Sequence, residues 1–149
     1  MTGIPELDAD LGRDRQYLVY AEAYTEAARL LAESAATMEA VRIPFFHLVG
    51  HAMELMLKAA ISRQGYDEEW LMRMRHGLER SYAKAISAGA DDLEDEDLAA
   101  FVEELYQPHA MQAFRYPQWF QSPIPEPARA VRLLNRQLDV VRSYLATDR

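Results

Sequence analysis

His47, His51, Glu54 and Lys58 stand four, three and four residues apart in an otherwise apolar stretch, FFHLVGHAMELMLKAAI. On a helix turning about 100° per residue, the four fall within about 60° of one another and form one narrow line. Imidazole, carboxylate and ammonium along one edge can move protons, bind an anion or hold a metal ion. Charge on so apolar a helix costs several kcal/mol unless it is paired or open to water, which leaves three readings. The stripe is a solvated or internally paired edge, with Glu54 and Lys58 bonding at i,i+4. Or it is a metal site, since His-x-x-x-His puts two imidazoles on one face. Or it lines a functional cleft. Metalloprotease helices carry a Glu directly after the first His, where this chain has Leu48, and Lys58 would stand beside the cation. No metal and no cofactor is therefore expected.

Two further sets of polar residues extend the list. Arg75 and His76 sit together in a short turn, and Arg115 and Tyr116 precede Pro117. If the turn around His76 folds over the central helix, His51 or His76 supplies an acid/base group, and Lys58, Arg75 or Arg115 supplies a cation for a phosphate. In the structural alternative, His76 and Glu54 hydrogen-bond only to tie the turn down. Tyr116, Trp119 and Phe120 beside Arg115 form a stacking platform for bases or hydrophobic anchors for a proline-rich loop. Arg129, Arg132 and Arg136 line one helical face that is suited to phosphates or simply to solvent.

Helices must position all of these. Tyr17, Tyr20, Ala21, Tyr24, Ala28, Leu31 and Met38 recur at helical spacing, predicting a helix from about Asp14 to about Ala40 that Arg42-Ile43-Pro44 ends. Pro44 then suits the first turn of a second helix, apolar around most of its circumference and hence the most buried, which stops at the C-cap glycine Gly65. Asp67 caps a short helix over Glu68–Met74, and Leu78 to Ala88 is a further helix closed by Gly89. Asp95 or Asp97 opens a helix carrying Leu98, Phe101, Val102, Leu105 and Tyr106, which Pro108 ends or kinks. Prolines make an extended loop of the chain from Phe114 to Pro127, and a last helix spans about Ala128 to Leu145. Met53, Met56, Met72 and Met74 read as core filling. Two long helices joined by a tight turn pack antiparallel, so the fold class is an all-α helical bundle of one domain, residues 1–149, with a flexible N-terminus over 1–12.

Composition narrows the function classes. The 149 residues carry no cysteine, which excludes disulfides, thiolate catalysis and cysteine-based zinc sites. The net charge of −8 argues against broad attraction to nucleic acid, although the middle of the chain is locally basic. His47, His51, Glu54 and Lys58 interrupt the apolar stretch nearest to membrane-spanning length, and the acidic first residues lack the features of a secretory signal. A cytoplasmic protein without membrane contact is expected.

The segment from Pro44 to Pro117 resembles the HEPN family (higher eukaryotes and prokaryotes nucleotide-binding domains). The likeness rests on His51-Ala52, Glu54-Leu55, Leu57-Lys58-Ala59 and Gly65, then His76-Gly77-Leu78 and Gly89, then Arg115-Tyr116-Pro117. Arg75 stands where relatives more often have Gly. The resemblance implies a helical bundle, homodimerisation and, in many members, metal-independent RNA cleavage within toxin–antitoxin or defence systems. Nuclease members carry Arg, four to six residues, then His near the start of a late helix. Here Arg42 and His47 have that spacing, but ahead of the His51 helix and with Pro44 between them, so the nuclease motif is atypical and no residue is assigned as catalytic. The expectation is a pocket of His51, Glu54, Lys58, Arg75, His76, Arg115 and Tyr116 that takes RNA or a nucleotide-like anion. The alternative is a non-catalytic interaction module with a protein partner.

Overall fold

A computed structural model describes residues 11–34, 36–117 and 124–147. Trp119 and Phe120 lie outside them. The described residues form an all-α fold with no strand: α1 (Arg13–Ser34), α2 (Met38–Arg63), α3 (Glu68–Met74), α4 (Leu78–Ser87), α5 (Glu96–Ala110) and α6 (Pro127–Ala146), with a 3₁₀ turn at Asp91–Leu93. No helix among them is long and apolar enough to cross a membrane.

α2 is the centre of the bundle. It packs most extensively on α1 and also against α6, α4, α5 and α3. Only three residues separate α1 from α2, so two helices sharing so long a face must run antiparallel. Being apolar on nearly all sides, α2 buries Phe45, Phe46, Met53, Met56, Leu57 and Ile61 completely, at ~1.5–3 kcal/mol each. α6 closes the core with Leu134, Leu138 and Val141.

The predicted boundary between the first two helices is wrong by several residues. α1 ends at Ser34, and α2 begins at Met38 after Thr37, whose extended backbone (φ −145°, ψ 124°) makes it the N-cap. Pro44 neither ends α1 nor starts α2; it lies inside α2. The hydrogen bond it cannot donate would have gone to the carbonyl of Ala40, and Ala40 and Pro44 are both exposed, so the lost bond falls at the surface and not in the core. Pro108 is likewise inside a helix, and α5 continues to Ala110. Met72, expected as core filling, and Tyr20, on the apolar stripe of α1, are both exposed, while Leu18 and Thr25 take the buried face of α1.

The short elements follow their caps. The Asp67 side chain accepts a hydrogen bond from the Trp70 backbone and starts α3, and Asp95 accepts from Asp97 and Leu98 and starts α5. Gly65 (φ 95°) and Gly89 (φ 128°) take left-handed turns that end α2 and α4. Between α3 and α4, Arg75 adopts φ 47° and ψ −126°. That backbone is strained for any residue with a Cβ, and it is the bend that precedes His76.

Candidate functional site

Glu54 is the one charged side chain carried into the core by α2, at 3% exposure. Its partners arrive from three directions. His76, in the α3–α4 turn, has Nδ1 2.6 Å from Glu54 Oε1. His109, in the last turn of α5, has Nε2 3.0 Å from the same oxygen. Lys58, one turn along α2, donates to Oε2 at 3.3 Å. His51 Nδ1 stands 4.0 Å from Oε2. Burial by itself raises the pKa of Glu54, but the hydrogen bond from His109, the charge of Lys58 and the hydrogen bond from His76 outweigh it and hold the carboxyl at about 2. An ionised carboxylate only accepts, so His76 Nδ1 and His109 Nε2 both carry hydrogen.

His109 reaches Glu54 because α2 has a notch opposite it. A Cβ on Gly50 would lie 2.5 Å from His109 Nδ1. Glycine inside a helix costs ~1 kcal/mol relative to alanine, and here the missing side chain is what lets a buried imidazole, 6% exposed, lie against the helix backbone. His76 and His109 meet edge to face, with ring centroids 5.5 Å apart.

Above this floor opens a cleft of about 240 Å³. It is lined by His76 and His109, by His47 and His51 of α2, by Gln112, Phe114 and Arg115 that follow α5, and by Tyr24 of α1. His51 sits edge-on to Tyr24 at 4.5 Å and stacks against His47 at 6.1 Å. After α5 the chain reverses at Gln112 (φ 56°). This lays Phe114 on Phe46 at 5.8 Å and brings Arg115 to the lining of the cleft. Burial lowers the pKa of both His47 and His51; Arg115 adds to the effect at His47, and at His51 the nearby Glu54 charge opposes it.

Of the residues singled out from sequence, His51, Glu54, Lys58 and His76 come together, and Arg115 lines the same cleft as His51 and His76. Both the paired reading of Glu54–Lys58 and the tie between His76 and Glu54 are realised in the same cluster. Arg75 and Tyr116 do not line the cleft. Arg75 is exposed, and its contribution is the backbone bend before His76. Tyr116 is 55% exposed and lies under the Arg115 guanidinium, 5.6 Å from ring centroid to Cζ. In the arginine row of α6, Arg129 pairs with Glu104 at 2.6 Å, and Arg136 pairs with Asp95 and Asp97. Most of that row is thus neutralised by α5 and is unavailable to phosphates.

Sequence reasoning missed His109 and Gly50. His109 follows Leu98, Phe101, Val102 and Leu105 at helical spacing on the buried face of α5, so a polar residue on a core stripe was the signal. Ending the helix at Pro108 concealed it. No family model, no curated protein and no solved structure matches the chain.

Proposed function

We propose that this chain is a HEPN-like helical domain whose cleft binds the phosphate of RNA or of a nucleotide. One observation carries the reading: the cleft is lined by four imidazoles, an amide, a phenol and a guanidinium, with no carboxylate among them. The acidic group beneath them, Glu54, has both oxygens engaged by His76, His109 and Lys58. In a chain of net charge −8, the cleft presents the Arg115 guanidinium beside imidazole, amide and phenol groups able to donate, and no carboxylate, which suits an anion. Arg115 has no carboxylate partner among the described residues, and its guanidinium is suited to two phosphate oxygens at once. The half-buried Tyr24 supplies ring surface for a base. The resemblance in sequence adds the homodimer and the toxin–antitoxin or defence setting to the proposal.

Titration of adenosine monophosphate and of a short single-stranded RNA, in the presence of chelator, tests it. Affinity should weaken as salt rises from about 50 to about 200 mM. Arg115→Ala and His51→Ala should each weaken binding by about tenfold or more at unchanged melting temperature, one charge-assisted hydrogen bond being worth ~1.5 kcal/mol or more. No binding at low salt, or binding indifferent to both substitutions, would leave a helical interaction module and remove the cleft from its function.

A further inference from the structure

The floor of the cleft has, in addition, the composition and spacing of a metal centre. One ligand atom from each of Glu54, His76 and His109 lies within 4.8 Å of the other two, and the three residues come from α2, the α3–α4 turn and α5. We propose that Glu54, His76 and His109 hold a divalent transition-metal ion of the zinc class, with its open coordination side toward the cleft.

The donor set selects the metal. Two imidazole nitrogens and one carboxylate oxygen suit zinc and its first-row neighbours, whereas magnesium and calcium take oxygen alone. His47 and His51, the pair weighed and set aside as a metal site in the sequence, are not part of the cluster. Three protein ligands with a free fourth position are the pattern of a catalytic or ligand-binding centre, not of a closed structural one.

The geometry needs only a small adjustment. Ligands ~2.1 Å from a tetrahedral ion stand ~3.4 Å apart, and here Oε1 is 2.6 Å from His76 Nδ1 and 3.0 Å from His109 Nε2. Opening by less than about 1 Å admits the ion, and His76 can provide it, because its side chain is 39% exposed and sits in a turn. The other two ligands are already fixed: Glu54 is buried and ionised, and His109 is wedged against Gly50. On binding, each ligating nitrogen offers its lone pair while the other ring nitrogen carries the hydrogen.

Lys58 gives the proposal a signature. Its ammonium holds Oε2, which confines the ion to Oε1, and its charge opposes the ion across the carboxylate. Lys58→Gln should therefore tighten metal binding by about tenfold or more, whereas a merely structural cluster would show no gain. A bound ion would also draw an anion into the cleft, so metal and phosphate should each strengthen the other's binding by the same factor.

Tag-free, chelator-stripped protein is titrated with zinc by calorimetry and with cobalt by visible absorption. Zinc should bind once per chain, and cobalt should give the d–d bands of a four- or five-coordinate site. His76→Ala and His109→Ala should each abolish both signals. Because His109 is buried and its loss endangers folding, the half-exposed His76 is the deciding variant, with melting temperature measured alongside. Absence of zinc binding at about 100 μM, a hundredfold weaker than an ordinary micromolar site, would overturn the proposal. So would binding that survives His76→Ala or is lost in His47→Ala, or failure of Lys58→Gln to tighten it. Anion binding measured in chelator keeps the two proposals separate: phosphate without zinc sinks only the metal centre, and zinc without phosphate sinks only the anion cleft.

Discussion

The contact between Gly50 and His109 makes a prediction in which two opposing effects can be told apart. Alanine at position 50 would put a methyl carbon 2.5 Å from His109 Nδ1 and 3.2 Å from Cε1 and Cγ. The ring cannot swing aside freely, since Nε2 is held by Glu54 at 3.0 Å and the side chain is buried. Overpacking of this kind costs ~1–3 kcal/mol. Moving the ring also lengthens a hydrogen bond to a charged group, worth ~1.5–3 kcal/mol. Against these, alanine improves the helix by ~1 kcal/mol. Gly50→Ala should destabilise the protein by about 3 kcal/mol, within limits of roughly 1.5 and 5, and lower the melting temperature by roughly 10 °C for a chain of this size. Urea and thermal unfolding followed by circular dichroism measure it. In a His109→Ala background the obstacle is gone, and the same substitution should stabilise by up to ~1 kcal/mol. A neutral or stabilising Gly50→Ala in the parent protein, or an equal loss in both backgrounds, would refute the idea that Gly50 is glycine in order to seat His109.

Other substitutions probe the same network and its supports. Glu54→Gln keeps the shape but removes the counter-charge of Lys58 and the ionised acceptor shared by His76 and His109, and should cost about 3 kcal/mol in urea unfolding; a loss below ~0.5 kcal/mol would show the cluster to be solvated. Arg75→Gly relieves a backbone at φ 47°, ψ −126° and should stabilise by ~1 kcal/mol or more, with phosphate affinity unchanged because Arg75 does not line the cleft. Asp95→Ala removes the cap of α5 and the partner of Arg136 and should destabilise by ~1–2 kcal/mol. The pH dependence has a definite sign. The pKa values of His47 and His51 are lowered in the fold from the ordinary 6.5, so the unfolded chain takes up protons first as pH falls. The stability they contribute is complete above about pH 6.5 and is lost as pH drops through their folded values. Melting temperature should fall from about pH 7 to about pH 5 and recover with added phosphate, which favours the charged imidazoles; a flat profile, or an equal fall in the His47→Ala/His51→Ala double variant, would contradict this.

Where local signals decide structure, the sequence is enough to place it. α3 runs from Glu68 to Met74 as Asp67 and the following turn imply, and Gly65 and Gly89 end their helices with positive φ. The α1–α2 junction fails for the opposite reason. Ala35-Ala36-Thr37 contains no glycine or proline and favours continuing a helix, while Pro44, the strongest breaker nearby, is tolerated because the lost bond falls at the surface. Solvent exposure at Ala40 is a tertiary property, and no local preference encodes it.

The candidate site divides along the same line. Periodicity within one helix was sufficient to align His47, His51, Glu54 and Lys58, because α2 is regular over the whole stretch. The convergence of His76 and His109 on Glu54 joins residues 22 and 55 positions away, which no periodicity reports. Yet the need for such partners was legible. A carboxylate carried into a core costs several kcal/mol, and the i,i+4 bond to Lys58 returns ~0.5 kcal/mol at best on an exposed helix. That deficit required donors from outside α2, and the chain has only two histidines beyond those of α2 itself. Helical spacing puts one of them, His109, on the inner face of α5 once the helix is carried past Pro108, and a glycine at position 50 leaves room for it. A buried charge whose neighbours on its own helix cannot satisfy it therefore specifies the chemistry of its missing partners, even where it does not reveal their positions.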